Sequence, residues 1–332
     1  MIYTVTLNPA LDYIMDVPAL APGETNRART VRIAAGGKGV NVSLLLSRLG
    51  CPTVPLGVCA GATGAYFLRE LSRAGLAPDF ILTDPEGGAD VWTRINVKLS
   101  GEGGEELEVN AAGAPLPDGV MDTLTDRLAA RLTPGDTLAL CGSLPSGAPD
   151  ETCARLLDGL YARGVDLSGI RLAADTTGRR LSSLLPYRPF VIKPNLAELE
   201  ALTGTSCREN GTPDDRLTVT AARTLQTAGA RNVLVSLGAS GALLVPETGP
   251  ALRIGALTRP AGAPTGNTTG AGDSMLAGFL CACDRGLSMP DALRFASVCG
   301  AATAFSLSGV AQAADVARLE PAGMGLPVRE IG

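Results

Sequence analysis

Gly270, Ala271 and Gly272 stand directly before Asp273, and an apolar run begins only after that aspartate. Residues this small leave their N–H groups bare, so a turn built from them can wrap an anion. A helix predicted to start at 271 brings its positive dipole end to the same place. The pattern supports that helix, because Met275, Leu276, Phe279, Leu280 and Cys283 fall on one face. A carboxylate at such a tip repels the anion it faces, unless it serves the other reactant. Asp273 can hold an acceptor hydroxyl while the amides hold a phosphoryl group. Phosphoryl transfer passes through a loose transition state, so the nucleophile needs orientation and a late proton acceptor rather than a strong base. The plainer alternative is an aspartate that only caps the helix.

A second glycine cluster reads Gly36-Gly37-Lys38-Gly39-Val40-Asn41. It is no dinucleotide fingerprint, since Val42 stands where the third glycine belongs. It is no Walker A loop either, since Gly39 follows Lys38 in place of Ser or Thr. A helix follows at once, with Val42, Leu45, Leu46 and Leu49 on one face. Its free amides, the Lys38 charge and the Asn41 amide all suit a polar ligand. A tight turn before a core helix is the alternative. Lys193, Asn195 and Glu198 follow a strand broken by Pro194. Asn and Glu three residues apart offer oxygen ligands, which suits Mg²⁺. Equally, Glu198 is a first-turn residue favoured by the helix dipole. Arg94 alternates with Trp92, Asn96 and Lys98 on one strand face, which suits phosphate or merely faces water. Asp12 either binds a ligand or caps a turn after Pro9.

The chain has no histidine. That excludes a Ser-His-Asp triad, a Cys-His pair and His-based metal sites, and leaves acid–base work to Asp, Glu, Lys, Tyr or Cys. Net charge is −5 with no basic stripe, so no nucleic-acid partner is expected. No apolar stretch reaches the ~18 residues of a membrane span, so no membrane partner is expected. Eight cysteines form no CxxC pair, most of them sit in apolar runs, and the start MIYTVTLNP lacks a basic leader. They are expected to be reduced core residues of a cytoplasmic protein.

The elements that position these groups follow from periodicity. Strands are expected at residues 2–7, 53–58, 137–141, 172–175, 190–193, 232–236 and 241–245. Helices are expected at 66–74, 150–163, 196–202, 213–228, 271–284 and 289–307, besides the one after Gly39. This alternation implies an α/β fold with a mainly parallel sheet and helices on both faces. Two β-rich pieces, about 12–35 and 89–110, break the alternation, and the second reads as a hairpin turning at 101–104. Together they are expected to form a small lid sheet. The expected organisation is one domain over 1–310 with a peripheral tail over 311–332.

Four segments in order then carry a resemblance over nearly the whole length: AGGKGVNVS, KPNLAELE at 193–200, SLGASGALLV at 236–245 and NTTGAGDSMLAGF at 267–279. The chain resembles the ribokinase-like (PfkB) carbohydrate kinases, whose fold is a three-layer α/β/α sandwich with a β lid. TLNPALD at 6–12, WTRINVKL at 92–99 and GSLPSG at 142–147 look like its hexose-phosphate branch, which holds 1-phosphofructokinases and tagatose-6-phosphate kinases. Asn267 stands where many sugar kinases have Asp, which weakens a direct cation role there. The resemblance implies ATP and Mg²⁺ as cofactors and a ketohexose phosphate as substrate. Fructose 1-phosphate, giving fructose 1,6-bisphosphate, leads; tagatose 6-phosphate and fructose 6-phosphate are rivals. A sugar-phosphate- or nucleotide-binding regulator without catalysis and a nicotinamide oxidoreductase are the alternatives from other classes. Asp273 is implied as the base and Gly270, Ala271 and Gly272 as the anion hole. Asp12, Gly37, Asn41 and Asn110 would meet the sugar. Lys38 and Arg94 would meet its phosphate, with Arg27 or Arg29 as helpers. Lys193 and Asn195 would face the nucleotide phosphates, with Glu198 reaching Mg²⁺ through water, and Ser236, Gly238 and Gly241 would line the ATP channel. Exposed ribbon edges also favour pairing, so a homodimer through the lid is expected.

Overall fold

Runs such as Ile2–Thr6 and Thr137–Cys141, buried at every position, become strands with both faces covered. The computed structural model describes residues 1–331 except 19, 22, 85–90, 102–105, 261–268 and 307–308. Seven strands run parallel: β1 (Ile2–Thr6), β4 (Thr53–Ala60), β5 (Asp79–Thr83), β8 (Thr137–Cys141), β9 (Arg171–Asp175), β10 (Val191–Ile192) and β13 (Asn232–Ser236). Antiparallel β14 (Ala242–Val245), β15 (Ala251–Ile254) and β16 (Val328–Ile331) extend the sheet. The spatial order is β16-β15-β14-β13-β10-β9-β8-β1-β4-β5.

Alternate residues of a strand feed two separate cores: Ala139 and Cys141 join one, Leu138 and Leu140 the other. The first core takes the apolar faces of α1 (Lys38–Arg48), α2 (Gly61–Arg73), α8 (Ala271–Asp284), α9 (Met289–Ala304) and α10 (Ala313–Met324). The second takes those of α3 (Val120–Ala129), α4 (Thr152–Ala162), α6 (Leu196–Thr203) and α7 (Asp215–Thr227), with the short α5 (Arg179–Ser182) beside them. The result is the expected three-layer α/β/α sandwich. A separate four-stranded sheet, ordered β3 (Thr30–Gly36), β2 (Ala10–Val17), β6 (Arg94–Gly101) and β7 (Glu106–Asn110), forms the lid. A two-residue ribbon, β11 (Arg208–Glu209) with β12 (Thr212–Pro213), completes the strands.

The tail departs from the expectation of a peripheral segment. Val316 and Leu319 of α10 are buried in the first core, and β16 pairs with β15 as the sheet's edge strand. The described part of the tail, residues 311–331, is therefore built into the sandwich: an open edge on β15 supplies a partner that no local pattern announces. The helix expected at 66–74 begins at Gly61, and β5, β15 and α3 were not expected. Of these, α3 carries a legible stripe of Val120, Leu124 and Leu128. Pro55 is tolerated inside β4 because the ladder to β5 begins only at Leu56. The hairpin forms as β6 and β7, while residues 102–104 of its turn lie outside the described residues.

The cysteines also depart from expectation at one pair. Cys51, just after α1, is joined to Cys281 of α8. The other six are free, five of them buried and Cys283 half-buried. Sequence spacing gave no hint of that pair, because only the packing of α1 on α8 brings residues 230 apart into reach.

Candidate active site

The carboxyl ends of the parallel strands converge on the N-termini of α1 and α8, where open α/β sheets bind ligands. Gly37 caps α1 at φ 121°, and Gly270 caps α8 at φ 83°. Both conformations favour glycine and let each helix begin abruptly with its amides exposed. Asp273 sits in the first turn of α8 and is only 6% exposed. Asn41, one turn into α1, donates from Nδ2 to Asp273 Oδ2 at 2.8 Å. Burial pushes the Asp273 carboxyl up to about 6, and the Asp175 charge adds to the rise. Lys38, the Asn41 hydrogen bond and Lys193 pull the other way.

Asp175, the last residue of β9 and 1% exposed, organises the cations. Lys38 Nζ donates to its Oδ1 at 2.8 Å, and Lys193 Nζ lies 3.3 Å from its Oδ2. Burial raises the Asp175 carboxyl, but Lys193 and Lys38 outweigh it and hold it below the ordinary range. Burial lowers the Lys38 ammonium, yet Asp175, Asp273 and Glu198 outweigh that and leave it raised. The Lys193 ammonium lies against Gly272: a Cβ there would stand 2.9 Å from Nζ. Lys38, Asn41, Lys193, Gly270, Gly272 and Asp273 thus form one cluster around a carboxylate that the motifs did not single out. Its signal was present as the strand sequence RLAAD, an apolar strand ending in an acid.

Asn195 and Glu198 form a capping box on α6: Glu198 N donates to Asn195 Oδ1, and Asn195 N donates to Glu198 Oε2, each at 2.8 Å. The alternative structural role for Glu198 is therefore real, and Oε1 is left over. Asn195 also bridges to Ser236 at the end of β13. Gly238 (φ 58°) opens the turn that follows, and Gly241 (φ 98°) ends it against the Ile254 carbonyl, where no Cβ fits. Asn267 lies outside the described residues.

The remaining candidates lie on the lid. Asp12, Asn96 and Asn110 are in register across β2, β6 and β7. Asn96 Nδ2 donates to Asp12 Oδ1 at 3.0 Å, and Lys98 Nζ to Oδ2 at 2.8 Å. Arg94 begins β6, reaches the Ala111 carbonyl at 3.3 Å, and keeps a buried Nε without a partner. Burial lowers its guanidinium. Arg27 and Arg29 are exposed between β2 and β3.

The chain is similar to known proteins over most of its length. The description "pfkB family carbohydrate kinase" matches residues 5–314. A 1-phosphofructokinase of Rhodobacter capsulatus is 38% identical, over 94% of this chain and 90% of its own. A D-tagatose-1-phosphate kinase of Bacillus licheniformis is 33% identical, over 92% of this chain and 93% of its own. The crystal structure of phosphofructokinase-2 from Escherichia coli in complex with fructose-6-phosphate superposes with a TM-score of 0.82 at 26% identity, covering 97% of this chain and 98% of its own.

Proposed function

The chain belongs to the pfkB family of carbohydrate kinases, and we propose that it phosphorylates fructose 1-phosphate to fructose 1,6-bisphosphate at the expense of ATP. The observation that carries this reading is Asp273, a buried carboxylate tethered by Asn41 at the amide-bearing tip of α8. The substrate's 6-hydroxyl oxygen attacks the γ-phosphorus, the bond to the β–γ bridging oxygen breaks, and ADP leaves. The hydroxyl proton passes to Asp273, whose raised pKa suits a late acceptor. Amides of Gly270, Ala271 and Gly272 neutralise the migrating group, with Lys193 beside them. Asp12, Gly37, Asn41 and Asn110 hold sugar hydroxyls. Lys38 and Arg94 hold the 1-phosphate.

ATP lies along Lys193, Asn195, Ser236, Gly238 and Gly241. The described residues contain no group of three or more Asp, Glu or Cys that could hold a metal unaided. That fits Mg²⁺, which keeps several waters and leans on nucleotide phosphates. Glu198, with Oε1 left over, would hold it through water, and the ion would neutralise phosphate charge. A phosphorylated substrate and ATP suit a cytoplasmic setting. No helix of the described residues is long and apolar enough to cross a membrane.

The lid's other face supports a homodimer. Across the four strands, Ile33, Tyr13, Val97 and Val109 stand in one row, and Val31, Met15, Leu99 and Leu107 in the next. Val31, Leu107 and Val109 are each at least half exposed. A continuous apolar sheet face of this kind fits a second copy of itself. Sedimentation should give a dimer at micromolar protein, and Val109→Lys with Leu107→Lys should give monomer; a wild-type monomer overturns the assembly.

A second substrate reading, tagatose 1-phosphate, has the support of the D-tagatose-1-phosphate kinase relative. Release of ADP, measured with fructose 1-phosphate, fructose 6-phosphate, tagatose 1-phosphate and tagatose 6-phosphate, separates them. Fructose 1-phosphate should give the highest kcat/KM. A higher value for another sugar phosphate replaces the substrate, and no turnover of any removes the reading.

A further inference from the structure

Lys98 is 9% exposed in a four-stranded sheet with little core of its own. A lysine gives up its water at such a place only where carboxylates replace it. Its Nζ lies 2.8 Å from Asp12 Oδ2 and 3.7 Å from Glu108 Oε1. Asn96 Nδ2 holds the other Asp12 oxygen at 3.0 Å. Behind that carboxylate runs Gly36, where a Cβ would stand 2.7 Å from Oδ2. Asp12 is thus held by one donor on each oxygen and backed by bare main chain, so its plane is fixed. Each carboxylate oxygen accepts at two sites, so one acceptor site per oxygen stays free.

We propose that Lys98 is a positioning residue for sugar recognition, fixing Asp12 as a double acceptor for two hydroxyls of the substrate. The proposal rests on the assignment of Asp12 to the sugar made above. Lys98 itself touches no reacting atom. Direct capture of the substrate phosphate by Lys98 is disfavoured, because its side chain is 11% exposed and already committed to two carboxylates on neighbouring strands. Glu108 holds the same ammonium from β7, so three strands converge on the orientation of one carboxylate.

Steady-state kinetics of Lys98→Met and Lys98→Arg, alone and combined with Asp12→Asn, test this. Losing a charged hydrogen bond that orients the binding group should raise KM for fructose 1-phosphate by about 10-fold or more. KM for ATP should stay within about twofold, as expected of sites that share no partner. Lys98→Arg should recover most of the loss. In the Asp12→Asn background, Lys98→Met should add less than about twofold, because coupled residues are not additive. Should Lys98→Met fail to fold, Lys98→Gln serves in its place. Equal effects on both substrates, or effects that multiply in the double variant, overturn the proposal while the enzyme still turns over. A wild type that releases no ADP with any sugar phosphate overturns the functional reading, and this proposal with it.

Discussion

Asp175 and Asp12 are both carboxylates held by lysine, yet they stand in opposite kinds of structure. Asp175 ends a central strand between two packed cores and is 1% exposed. Its partners Lys38 and Lys193 come from the start of α1 and from just after β10, elements fixed by the sheet. Asp12 lies on a lid whose opposite face leaves Val31, Leu107 and Val109 in water. At the first place burial raises the Asp273 carboxyl, and the neighbouring Asp175 charge adds to that rise. At the second place Lys98 and Asn96 each hold one oxygen of the Asp12 carboxylate, so the charges there fix its orientation. The carboxylate proposed as proton acceptor therefore stands on the central sandwich, whereas Asp12 and Asn110, two of the groups proposed for the sugar, stand on a sheet whose other face leaves apolar side chains exposed.

That contrast breaks first at Asp273. Asp273→Asn should lower kcat by about 10²–10⁴, the usual worth of a positioned proton acceptor, with little change in ATP affinity. Turnover near wild type would remove the acceptor from the core site. On the lid, Arg94→Ala should raise KM for the sugar phosphate about 10-fold, the scale of a lost charged hydrogen bond, and far more than KM for ATP. An equal rise for both would place Arg94 outside the sugar site. The smallest effect is a shift in pH dependence. Asp273 must be ionised to accept a proton, so kcat/KM should fall as pH drops through about 6. The Asp175 charge raises that value, so Asp175→Asn should move the acid limb to lower pH. An unmoved or upward limb would show that the two carboxylates do not sense each other. Asp12→Asn should leave the limb in place, which sharpens the difference between the two regions.

Much of the candidate site at the tip of α8 was legible because its parts are local. Small residues before an acid and an apolar helix face fix the tip of α8 within a few positions, and its predicted range matches Ala271–Asp284. The glycine cluster before α1 is local in the same sense. The Asp12–Asn96–Lys98 set was only half legible. Alternation put Asn96 and Lys98 on one face, but which strand would lie beside them depended on β2 and β6 running parallel.

By itself the sequence determined periodicity and local turn chemistry: an alternating α/β chain, two helices that start directly after glycines, and no histidine to serve as base. These follow from spacing along the chain, where neighbours interact whatever the rest does. Only the tertiary structure decided what meets across long separations. Asp175 became the hub of two lysines, Cys51 met Cys281, and the tail became the edge strand of the central sheet. Such meetings depend on sheet order and helix packing, and a carboxylate's neighbours set its pKa only once the fold has excluded water from around it.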